Sequence, residues 1–140
     1  MNKPILPDSL KAAVLRGVRG QCPRCGNAHM FVRYLKPDPL CPSCGQDWTL
    51  HQADDFPPYV AIFVAGHVLA PVLIALSIAD VLPMWGEMTI ALVLAAAMLF
   101  ALLQPSKGAI IALQWWMGMH GFKPGGRDEV ARLVEAASPR

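Results

Sequence analysis

At 140 residues the chain has the length of one domain, but with 54% apolar and only 16% charged residues it is too greasy and too uneven for one ordinary soluble core. Its formal charge of +2 counts four cysteines as neutral thiols. Ionising them around one divalent metal brings the sum close to zero, which argues against a nucleic-acid partner.

The first segment, residues 1–20, lacks both a continuous apolar core and a small-residue cleavage site, so no cleavable signal is expected. "PDSLKAAVLRG" predicts a short amphipathic helix capped at Asp8 or Ser9, with Leu10, Ala13, Val14 and Gly17 on one face. Its opposite face is basic. Such a helix either lies on anionic lipid or docks a partner protein.

Residues 21–52 hold "CPRCG" and "CPSCG". Cys22, Cys25, Cys41 and Cys44 form a C-x2-C-x15-C-x2-C pattern, the spacing of a four-thiolate metal site. Gly26 and Gly45 follow each pair where the backbone needs positive φ, and Pro23 and Pro42 stiffen the turns. Amide N–H groups of these turns are expected to face the sulfurs. With no export signal the cysteines belong in a reducing compartment, where a metal is favoured over disulfides. Zinc is the expected ion. Iron in a rubredoxin-like site is the alternative, and a thiol redox pair is a third reading. Met30, Val32 and Tyr34 alternate as a short strand, and "QDWTLHQ" is expected to supply the returning strand of a zinc ribbon. His29 and His51 lie near a shell that four thiolates already complete.

Residues 53–119 predict a transmembrane hairpin. Positions 59–79 carry no charged side chain, and as a helix they would measure about 31 Å, enough to cross a bilayer core. "DVLPMWGE" makes the turn, and a second apolar run follows over about 88–105. A buried soluble hairpin is the poorer reading, because too little amphipathic chain remains to cover two helices that are apolar all round. Asp54 and Asp55 sit at the mouth of the first span, as solvated residues or as contacts to a partner. His67 lies inside that span, where it could ligate haem or a metal, relay a proton, or bond a backbone carbonyl across the hairpin. The last of these, a pin between the helices, is the expected role.

Past Pro105, the chain either projects from the bilayer as a continued helix or folds onto the interface. Lys107 is expected to snorkel or to pair with carboxylates of the head. Tyr59, Trp85, Trp115 and Trp116 fall where interfacial aromatic belts or lipid and partner contacts would be. Residues 120–140 form a tail in which "RDEVARLVEAA" repeats the amphipathic spacing through Val130, Leu133, Val134 and Ala137. All 12 basic residues lie before the first span or after the second, so both termini and the metal site are expected in the cytoplasm, with the hairpin in the membrane that bounds it.

The order "VLRGVRGQCPRCG … CPSCG … GHVLAPV … KGAIIALQWWMGMHG", over about residues 14–122, resembles a bacterial family of small membrane proteins termed domain of unknown function 983. The resemblance implies a zinc-ribbon-like head on two membrane helices, with no established activity. In alphaproteobacteria such genes often stand among those for haem–copper cytochrome c oxidase and its assembly factors, which implies a respiratory-chain role. The expectation is therefore a non-catalytic accessory or assembly subunit of a respiratory complex, in contact with membrane lipid and with the other subunits. The alternative is a metal- or haem-handling membrane protein that uses His67 and the cysteines reversibly. The residues show no nucleophile–base pair, no phosphate-binding glycine loop and no paired catalytic acids, so neither an enzyme nor a small-molecule substrate is inferred.

Overall fold

The computed structural model describes residues 6–80 and 82–122. The amphipathic stretch of the C-terminal tail lies outside the described residues. A short helix, α1 (Leu10–Val18), leads into a two-stranded antiparallel hairpin, β1 (Phe31–Arg33) and β2 (Lys36–Pro37). Two long helices follow, α2 (Phe56–Ala79) and α3 (Met84–Met117), and a single 3-10 turn at Met119–Gly121.

Ser9 starts α1 from extended backbone, its side chain accepting the Ala12 N–H at 3.3 Å. The helix stops by a Schellman closure. Gly20 turns to φ +71°, its N–H bonds the Gly17 carbonyl, and the Gln21 N–H bonds that of Arg16. Ala13 and Gly17 are the buried residues of α1, and they face α3. The helix thus docks on its own chain. It uses on α3 the apolar face that the sequence left open to lipid or a partner protein.

The docking is close. A methyl group placed on Gly17 would meet the backbone carbonyl of Gly108 and the Ala112 methyl, and one placed on Gly108 would meet the Gly17 carbonyl. Only two glycines allow helix backbones to approach so nearly.

α3 passes unbroken through Pro105. Its 34 residues make it about 51 Å long, more than a bilayer core needs. After Pro105 the chain continues as helix, and α1 packs along the continuation. Ser106, Gly108, Ile110, Ile111, Ala112, Gln114 and Trp115 are its buried positions. The preceding turns, from Met84, pack against α2, and Tyr34 of the β-hairpin turn reaches Phe100. There Leu92 is 68% and Phe100 68% exposed, and on α2 Ile78 reaches 80%. α2 turns only Pro57, Ala61 and Ala65 inward, a stripe of small residues at one-turn spacing. Both helices are long and apolar enough to cross a membrane. At the far end of the hairpin the Ser77 hydroxyl donates to the Glu87 carboxylate at 3.0 Å.

The head differs from the expected ribbon in its strands. The return strand is Lys36–Pro37, immediately after a turn in which Leu35 adopts φ +60°. It is not the 46–52 segment, which contributes only an isolated bridge from Asp47 to Leu40. Trp48 explains why. It is 1% exposed, set edge-on against Trp115 and Phe122 at centroid distances of 6.1 and 6.0 Å, so burial of its indole directs this segment inward. Trp115 is accordingly a core residue of the head, not part of an interfacial belt, while Trp116 packs partly buried beside it.

Candidate metal centre

Each cysteine pair sits on a tight knuckle. The Gly26 N–H bonds the Cys22 carbonyl and the Gly45 N–H bonds the Cys41 carbonyl, both at 2.8 Å. Gly26 and Gly45 stand at φ +69° and +68°, a conformation L side chains rarely adopt. The glycine amides are therefore spent on carbonyls. The groups that face sulfur are the N–H of Cys25 toward Cys22, of Asn27 toward Cys25 and of Gln46 toward Cys44. Such bonds favour the thiolate.

The two knuckles meet sulfur to sulfur. Cys22 and Cys44 lie 3.8 Å apart at Sγ, Cys25 and Cys41 likewise 3.8 Å, and all four sulfurs fall within 4.8 Å of one another. An ion bound tetrahedrally at the usual metal–thiolate length of about 2.3 Å needs sulfurs about 3.8 Å apart. The donor set fits a metal without rearrangement beyond a small contraction. A disulfide would need the sulfurs much closer, and all four thiols are free.

Burial pushes the Cys22 thiol far up and Cys44 up to about 11. Burial acts the same way on Cys25, but the Asn27 N–H and the three neighbouring cysteines outweigh it and bring this thiol down to about 7. Three of the four cysteines are at most 4% exposed. Four thiolates around a divalent ion carry net negative charge, and two guanidinium groups stand where they offset it. Arg24 reaches across from the first knuckle to the Cys44 carbonyl, and Arg16 of α1 donates to the Arg24 carbonyl, both at 3.3 Å. The Arg16 side chain also lies over Gly26, within 3.1 Å of where a Cβ would be. The site is thus tied to α1, and through Gly17 to α3.

The remaining candidates scatter. Lys107 pairs with Asp54 at 3.1 Å, so the lysine is neutralised at the mouth of the hairpin; Asp55 forms no such pair among the described residues. His51 is half-buried and accepts the Ala53 N–H on Nδ1 at 3.4 Å, and His29 is exposed. His67 does not pin the hairpin. Its Nδ1 bonds the Phe63 carbonyl one turn earlier in the same helix, at 2.8 Å, and its ring stacks on Phe63 on the exposed face of α2. The small stripe of Ala61 and Ala65 occupies the face toward α3, which leaves the histidine pointing outward. Sequence reasoning missed Gln114, which bonds the backbone of Gln52 twice. It also missed the glycine pair; only the spacing of small residues in "KGAIIALQ" hinted at a close helix contact.

The structure thus joins four cysteines close enough to hold one metal ion to two helices long and apolar enough to cross a membrane. The chain belongs to the family described as protein of unknown function DUF983, which matches residues 31–115. The matched segment holds the second knuckle and both long helices but starts beyond the first knuckle and the Arg19–Gly20 pair, a narrower reach than the motif order suggested. No curated protein and no solved structure matches the chain.

Proposed function

We propose that this protein is a non-catalytic accessory or assembly subunit of a bacterial respiratory membrane complex, namely haem–copper cytochrome c oxidase. Its head is a zinc-ribbon-like unit in the cytoplasm, and both termini face the cytoplasm from the inner membrane. One observation carries the first part of this reading. Four sulfurs at tetrahedral spacing leave a bound ion no open position, and closed sites of this kind serve structure rather than catalysis. Zinc is the ion assigned, since a closed shell of four thiolates suits it. The head it closes is joined to α3 through Arg16, Gly17 and Gly108, a connection suited to presenting the head to a larger complex. The oxidase as the partner rests on the family resemblance alone, and the orientation of the hairpin on its charge asymmetry. Purification of the tagged chain in mild detergent should bring oxidase subunits with it, and a deletion strain should lose haem a absorbance from its membranes. Intact oxidase in the deletion strain, with no co-purifying subunit, would count against it.

One observation favours the second reading, haem or metal handling. With Nδ1–H donating to the Phe63 carbonyl, His67 keeps the Nε2 lone pair outward, the tautomer of a ligating histidine. A haem-like absorbance in the purified protein that disappears in His67→Gln would establish it.

A further inference from the structure

A cavity of about 310 Å³ lies where the end of α1, the β-hairpin turn and α3 at Pro105 come together, lined by Val18, Arg19, Tyr34, Phe100, Ala101 and Gln104 among others. Its chemistry is split. Val18, Phe100, Ala101 and Pro105 supply its apolar lining, with Phe100 and Ala101 farthest along α3 from Lys107, while Arg19 and Gln104 supply a cation and an amide. The Tyr34 hydroxyl donates to the Phe100 carbonyl, which fixes the turn as a wall over α3. Arg19 makes no ion pair and no side-chain hydrogen bond among the described residues. Pro105 has no N–H to offer the carbonyl of Ala101, four residues before it, so a residue that lines the cavity carries a backbone acceptor without its usual helical donor.

Depth decides what such a cavity meets. Asp54, two residues before α2, holds Lys107, and on the membrane reading this pair sets the level where the hairpin leaves the bilayer. Gln104 lies less than one turn below Lys107, and Phe100 about one turn deeper. Gln104 is therefore at headgroup level and Phe100 at the first acyl carbons. From the unpaired guanidinium, the orphaned carbonyl and the apolar lining at this depth, we infer that the cavity binds one phosphatidylglycerol-type lipid. Arg19 takes the phosphate, a headgroup hydroxyl donates to the Ala101 carbonyl, and the upper acyl chain lies along Val18 and Phe100. A basic recess at the cytoplasmic end of membrane helices is a known form of anionic-lipid site, and the volume is at the small end for ligand pockets. Phosphatidylcholine offers the same phosphate but no donor.

The inference rests on the membrane reading above, and the experiment separates the two. The full chain, reconstituted in nanodiscs of pure phosphatidylcholine, is titrated with phosphatidylglycerol and followed by native mass spectrometry and melting temperature. One lipid should bind preferentially and raise the melting temperature. Arg19→Gln should weaken that binding about fivefold, matching the ~1 kcal/mol one basic residue contributes near an anionic surface. Lys11→Gln, exposed near the other end of α1, should not. Ala101→Leu fills the apolar part without changing charge and should also reduce the preference. Equal losses in Arg19→Gln and Lys11→Gln would reduce the effect to general surface charge and overturn the site. Full replacement of the lipid effect by free glycerol phosphate would overturn a lipid as its occupant. A chain that fails to float with vesicles after carbonate washing would overturn the membrane reading itself, whereas one that floats without lipid preference overturns only this inference.

Discussion

Gln114 treats the backbone of Gln52 as a strand partner: its Oε1 accepts the Gln52 N–H at 3.1 Å and its Nε2 donates to the Gln52 carbonyl at 3.0 Å. The side chain is 7% exposed, so this pair is shielded from competing water. It ties the segment leaving the metal head to the C-terminal end of α3, just before α2 begins.

Gln114→Leu should therefore cost about 1–3 kcal/mol, because both backbone groups of Gln52 lose their partner in a partly buried seam. Limited proteolysis should show faster cleavage at residues 49–55. Cleavage at the wild-type rate would show that water replaces the amide without loss.

The glycine contact makes a sharper contrast. Gly17→Ala or Gly108→Ala drives a methyl into opposing backbone, which cannot yield as a side chain can, and should cost at least about 1–3 kcal/mol. Hydrogen exchange over α1 is the readout, with protection lost in either variant. Gly66→Ala, where nothing lies within 4 Å, should leave α1 protection unchanged. An undisturbed α1 in Gly17→Ala would mean that the two helices do not cross backbone to backbone.

What could be read in the sequence follows from how local each determinant is. The knuckles, the Ser9 cap and the two apolar helices are written in spacings of a few residues, and they reappear in the fold. The α1–α3 crossing joins Gly17 to Gly108, far apart along the chain, and apart from the small-residue spacing of "KGAIIALQ" nothing local marks either glycine as a contact rather than a loop or a weak helix position. The return strand was misplaced because "QDWTLHQ" has strand-like alternation, while the burial of Trp48 against Trp115 and Phe122 depends on residues far along the chain. His67 misled for the opposite reason. Its chemistry suggested a long-range partner, and it found a carbonyl one turn away.

His67→Leu should accordingly leave the hairpin as stable as before to within about 0.5 kcal/mol, since only a bond inside α2 is lost on an exposed face. Thermal aggregation of the detergent-solubilised protein measures this. A large loss of stability would restore the histidine to a role between helices.

His51 gives the head a dependence on pH. Burial lowers its basicity from the ordinary value of 6.5, Lys107 lowers it further, and Asp54 opposes them. A depressed folded-state value means the folded chain takes up a proton less readily than the unfolded one, so the stability this group contributes is full above pH 6.5 and is lost as pH falls below it. Protonation also removes the Nδ1 acceptor used by the Ala53 N–H. Proteolysis at residues 49–55 should accelerate from pH 7.5 to pH 5.5, and His51→Gln should flatten that component. An identical pH profile in the variant would assign the effect elsewhere.

The central claim is that four thiolates hold one metal ion whose binding folds the head. Elemental analysis of the full-length protein, purified from cells without added metal, tests it most directly when paired with thiol titration. The account predicts one zinc per chain, no thiol reactive until a chelator is added, and loss of both metal and protease resistance in Cys41→Ser, because binding and folding of the head are one event. Metal-free protein with four reactive thiols and a head as resistant as before would contradict it.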